Sequence, residues 1–138
     1  MLEVESLAHG AAEHGVKPAM IWHSGKLRAK QTAEAFWRVC NPLAVISAVR
    51  GLQPSDPTVW IVDALQERGE SPSDIMLVGH FPQLPQLLAH LMSGNKEATP
   101  ATFPVNGLVA LEKPEEQWRE LFRLKIAEGR LVIEANQP

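Results

Sequence analysis

The chain has 138 residues, 13 of them basic and 16 acidic, for a net charge of −3. That length suits one domain around one core. A hydrophobic share of 45% with 21% charged residues excludes a disordered, collagen-like or coiled-coil chain.

The slight negative charge gives no global attraction to nucleic acid or an anionic membrane. Cys40 is the only cysteine, so no intrachain disulfide forms and nothing points to an oxidising compartment. No apolar run approaches the ~18 residues of a membrane span, and no basic segment followed by an apolar stretch opens the chain. The cytoplasm is the expected compartment, and residues 1–138 are expected to form a single domain.

In chain order, Val4, Leu7, Ala8 and Ala11 recur at helical spacing, with Gly15 placed for a left-handed C-cap. Met20-Ile21-Trp22 is a short apolar run, read as a buried strand. Leu27 to Val39 is predicted helical, with Leu27, Ala33 or Gln31, Ala35 and Phe36 available for a core face, and Asn41-Pro42 stops it. Leu43 to Val49 is rich in β-branched residues and reads as a strand. Gly51 to Pro57 is a loop, and Asp56-Pro57 is expected to start a helix as N-cap and first helical residue. That helix runs to about Arg68 and closes at Gly69.

Ile75 to Val78 is continuously apolar, as a strand covered on both faces would be. Pro82 to Met92 is predicted helical and Ser93 to Pro104 a polar loop. Gly107 to Leu111 and Trp118 to Ile126 read as a closing pair of strands. In the second, Trp118, Glu120, Phe122, Leu124 and Ile126 share one side, with Glu120 at an edge. Leu131 to Ile133 adds a last short strand. Strands alternating with helices, then strands alone, give an α/β layered fold: a mixed sheet with helices on both faces.

Ligands of such sheets sit beyond the carboxyl ends of the strands, so the turns His23 to Arg28 and Gly79 to Pro82 matter most. Arg28 falls at the start of a helix, where backbone N–H groups and the helix dipole already favour an anion. Its guanidinium would add a bidentate phosphate or carboxylate contact, although the segment alone favours a solvated surface arginine. Lys26 and Lys30 add basic character. His80 follows a buried strand and Gly79, which would let the backbone approach a ligand closely, and so projects above the sheet. Paired with Arg28, His80 could meet a phosphoryl group.

The remaining candidates carry less. His9 and His14 are expected on the solvent side of the first helix, and His90 on a packed face. Cys40 reads as a small core residue. No cysteine, histidine and carboxylate cluster has metal-ligand spacing, and no glycine-rich phosphate loop is present. Neither metal nor cofactor is expected.

His-Ser-Gly-Lys-Leu-Arg-Ala-Lys-Gln-Thr-Ala-Glu (His23 to Glu34) and Met-Leu-Val-Gly-His-Phe-Pro (Met76 to Pro82) together resemble the histidine phosphatase superfamily, whose fold is phosphoglycerate mutase-like. The branch they look most like is the SixA-type phosphohistidine phosphatases. Gly51-Leu52-Gln53-Pro54 resembles that branch's Leu-x-Pro loop, and Asn106-Gly107 with Trp118 its closing strands. The resemblance covers nearly the whole chain.

It implies that Arg28 and His80 are catalytic and phosphate-binding, Arg28 holding phosphoryl oxygens and His80 steadying the transferring group. It also implies a further arginine and the nucleophilic histidine from an Arg-His-Gly motif ending a first strand. This sequence has no such motif. Ala8-His9-Gly10 is not that motif, because His9 follows Ala within a helix and no strand precedes it.

The first strand is therefore expected to be absent, leaving an N-terminally incomplete domain inactive as it stands. The expected substrate is phosphohistidine on a signalling protein. The alternatives are a non-catalytic phosphate- or phosphoprotein-binding pseudophosphatase, and a broad-specificity phosphomonoesterase acting on small phosphate esters. Nucleic acid and membrane are not expected partners. Self-association through unpaired sheet edges is.

Overall fold

The computed structural model describes residues 2–68, 74–113 and 116–135. Its elements run α1 (Leu2–Glu13), β1 (Met20–His23), α2 (Leu27–Cys40), β2 (Val45–Ala48), α3 (Thr58–Glu67), β3 (Ile75–Val78), α4 (Gln83–Ser93), β4 (Gly107–Glu112), β5 (Arg119–Ala127) and β6 (Arg130–Ala135). β1 lies between β2 and β3, parallel to both. Met20 stands opposite Val45 and Ile75, and His23 opposite Ala48 and Val78. Parallel neighbours need long crossovers, and α2 and α3 lie in the connections that supply them.

Alternation along β1 divides the core. Ile21, level with Ile46 and Met76, faces one cluster with Leu7, Ala8 and Ala11 of α1, Ala33 and Phe36 of α2, and Leu124 of β5. Trp22, level with Leu77, faces the other with Leu52, Ile61 of α3 and Leu87 of α4. Helices thus cover both faces, as the pattern predicts. Gly10 lies on the side of α1 that approaches β6, where a Cβ would come within 2.5 Å of Leu131 Cδ2.

The closing strands form an antiparallel ladder, β4-β5-β6, with a register shift at Ala110/Leu111. Glu128 and Gly129 connect β5 to β6 with φ of 53° and 74°, the two left-handed residues a tight hairpin demands. Phe122, Leu124 and Ile126 alternate inward as expected, but the register shift breaks the alternation before them. Glu120 pairs with Arg123 at 2.6 Å rather than sharing their side, and it lies before the pairing with β6 begins.

The strands form two ladders rather than one hydrogen-bonded mixed sheet. Among the described residues β3 pairs only with β1, and β4 only with β5. A shared core joins them instead: Met76 and Val78 of β3 pack in the same cluster as Leu108, Phe122 and Leu124.

Several local expectations change. Ala33, Ala35 and Phe36 of α2 are buried as expected, but Leu27 is 70% exposed and Ala29 is buried in its place. β2 is shorter than Leu43 to Val49: Asn41 Oδ1 accepts the Leu43 N–H at 3.1 Å, and the resulting turn leaves Leu43 89% exposed. Asp56 does not cap α3. Its Oδ2 accepts the N–H groups of Gly51 and Gln53, tying up the loop before it, and Pro57 occupies the cap without a side-chain bond. Gly69 lies outside the described residues.

Truncating Ile21 or Ile61 to Ala, each fully buried, should cost about 2–5 kcal/mol. Leu43→Ala should stay within about 0.5 kcal/mol. Urea unfolding of the three variants reads the difference.

Candidate functional site

The pairing of β1 with β3 ends both strands at one level, so the turns after His23 and Val78 emerge side by side. The first turn is held by its own side chains. His23 Nδ1 accepts the Gly25 N–H at 3.0 Å, and Ser24 Oγ accepts the Lys26 N–H at 3.2 Å. Gly25 sits at φ 89°, a conformation that strains other residues. The Val49 N–H reaches the His23 carbonyl at 2.8 Å and docks the loop after β2 on the same edge.

The second turn brings His80 to the first. Its Nε2 lies 2.6 Å from Ser24 Oγ, across 56 residues of sequence. His80 is half-buried, and its carbonyl accepts the Leu84 N–H at the start of α4. Gly79 also makes room for its neighbours. A Cβ there would lie 3.2 Å from both the Leu52 carbonyl oxygen and Leu84 Cδ2, so glycine eases the close packing of the neighbouring loop and helix.

Arg28 is exposed in the first turn of α2, four residues after Ser24. No hydrogen bond or ion pair engages it among the described residues. α2 begins at Lys26 without a side-chain cap and has no acidic residue in its first turn, so its leading N–H groups and its cations share one end. Burial, then the charges of Lys26 and Arg28, push the His80 imidazole below its ordinary pKa. His23, 5% exposed, is lowered by burial and by Lys30, against the opposing pull of Glu34.

The structure thus brings Arg28 and His80 to one edge, with Lys26 beside them. Ser24 and His23 were not assigned roles from sequence. Ser24 opens the Ser-x-x-x-Arg spacing, but contact with a residue 56 positions away depends on strand register.

The other residues fall elsewhere. His9 is exposed in the middle of α1, which excludes Ala8-His9-Gly10 as a strand-to-helix turn. His14 is exposed and bonds back to the Gly10 carbonyl. His90 is buried against Thr58 Oγ1 at 2.8 Å. Cys40 donates to the Ala8 carbonyl, and burial raises its thiol pKa, which suits packing rather than nucleophilic chemistry. Among the described residues no group of three or more His, Cys, Asp or Glu is placed to hold a metal ion. None of the described helices is long and apolar enough to cross a membrane.

No family model matches the sequence, and no curated protein matches it significantly. Solved structures do. One, assigned as the phosphohistidine phosphatase SixA of Agrobacterium tumefaciens, superposes with a TM-score of 0.66 at 23% identity, over 86% of this chain and 75% of its own. Another, the protein histidine phosphatase SixA complexed with tungstate, gives a TM-score of 0.75 at 20% identity, over 87% and 76%. The fold is similar to that of these SixA structures.

With both imidazoles held low, the native state takes up fewer protons than the unfolded chain as pH falls through about 6.5. Their contribution is intact above that pH and turns destabilising below it. Replacing His80 with Gln should therefore raise Tm relative to the wild type at about pH 5 more than at about pH 7.5. Thermal unfolding across that range checks the sign.

Proposed function

We propose that the edge formed by Ser24, Lys26, Arg28 and His80 binds a phosphoryl group, and that the chain supplies this part of a SixA-like phosphohistidine phosphatase. The observation that carries the reading is the Ser24–His80 contact. It gathers an uncapped helix start, an unpaired guanidinium and a low-pKa imidazole at one edge. The fold supports it, since the neighbours of that fold are phosphohistidine phosphatases by name and one holds tungstate, a tetrahedral oxyanion.

Arg28 would clamp two phosphoryl oxygens, and the α2 N–H groups would complement their charge. His80 would stabilise the group as it transfers. Phosphohistidine on a signalling protein is the proposed substrate. Arg-His-Gly occurs nowhere in these 138 residues, so the reading gives them binding and stabilisation and leaves the nucleophilic imidazole unassigned. That same observation favours the second reading, a phosphate- or phosphoprotein-binding module without turnover.

Calorimetric titration with tungstate should show binding. Arg28→Ala should weaken it about 10-fold or more and Lys26→Ala about 2-fold, because a bidentate fork inside the site outweighs a rim charge. A wild-type chain that binds no oxyanion, or equal losses in the two variants, overturns the reading. The chain should not hydrolyse phosphohistidine. Turnover abolished by His80→Ala would mean that another residue serves as nucleophile.

The edges of β3 and β4 that are unpaired among the described residues are proposed as the place where a strand from another copy or segment would pair. Sedimentation across a concentration series should show association, and a monomer throughout would count against pairing between copies.

A further inference from the structure

We propose that Ser24 is a positioning residue for His80: its hydroxyl donates to Nε2 and so keeps the imidazole proton on Nδ1. The inference concerns the phosphoryl site proposed above and rests on that reading for its functional meaning. Its geometry stands independently.

Ser24 is 6% exposed and, among the described residues, has two polar partners, the Lys26 N–H and His80 Nε2. The first contact fixes the hydroxyl oxygen as an acceptor, since a backbone N–H can only donate. If Nε2 also carried hydrogen, two donors would point at the oxygen and the hydroxyl's own proton would have no acceptor in a nearly closed position. With Nε2 unprotonated, each group is matched: Lys26 N–H to Ser24 Oγ, and Ser24 O–H to His80 Nε2 at 2.6 Å.

The second imidazole nitrogen then bears the proton. A neutral imidazole with hydrogen on Nδ1 can donate to a phosphoryl oxygen without placing a further full charge beside Lys26 and Arg28. The same bond favours the neutral ring, because donation to Nε2 is possible only while Nε2 holds a lone pair. The turn after β1 therefore presets both the orientation and the tautomer of a side chain on the turn after β3.

Long-range 1H–15N correlation spectra of the whole chain test this directly. Near neutral pH the wild type should show His80 Nδ1 as the protonated nitrogen and Nε2 as the bare one. Ser24→Ala should move the tautomer toward Nε2–H, raise the His80 pKa by about half a unit, and weaken tungstate binding several-fold. Ser24→Thr, which keeps the hydroxyl, should restore all three. Protonation at Nε2 in the wild type would overturn the proposal without any variant, as would an unchanged tautomer and pKa in a folded Ser24→Ala chain. If the tautomer is as proposed but tungstate does not bind, the phosphoryl reading fails and the Ser24 assignment stands. If tungstate binds but the tautomer is wrong, the reverse holds.

Discussion

The register of β1 against β3 is the constraint from which the rest follows. Placing Ile21 opposite Met76 puts His23 opposite Val78, so both strands finish at the same height and release their turns together. A one-residue slip would reverse every side chain on one strand. Trp22 would leave the cluster of Leu52, Ile61 and Leu87 for the one built on Phe36 and Leu124. The apolar identity of both faces thus fixes the register. The register fixes the Ser24–His80 contact, and the core determines the site without supplying any of its polar atoms.

Much of this arrangement was legible in the sequence. Short apolar runs bounded by Pro and Gly marked the parallel strands, and the placement of Arg28 and His80 just after two of them put both residues at the carboxyl edge. What escaped was contact that depends on register or on competition between partners. Nothing local distinguishes a serine that bonds His80 from one that merely caps its own turn, and Ser24 does both. Asp56 looked like a cap because Pro57 followed it. Two loop N–H groups compete for the same carboxylate and win, because the chain doubles back over Gly51 to Gln53.

One position of a helix face, Leu27, was misjudged for a related reason. The apolar character of Leu27 suggested burial, but α2 buries Ala29, Ala33, Ala35 and Phe36, and a leucine at its first position is left in solvent. Periodicity shows that a helix has an apolar face. It does not show which residues at the end of that face are covered, here Ala29 rather than Leu27. The division into two ladders was hidden similarly, since strand order follows from pairing partners that composition does not name.

The charges at the start of α2 run against ordinary helix design. Lys26, Arg28 and Lys30 crowd the end where the dipole is positive, with no acidic residue in the first turn. Each such cation costs a helix roughly 0.3–1 kcal/mol at low ionic strength when exposed, and the same field makes a protonated His80 costlier still. An arrangement that opposes both helix and imidazole contributes nothing to folding the free chain. It would become favourable on binding of the proposed oxyanion, whose charge would satisfy the dipole, the guanidinium and the lysines together. Salt that screens the repulsion also screens this attraction. The part of α2 least suited to an isolated helix is thus the part the proposed phosphoryl site would draw on.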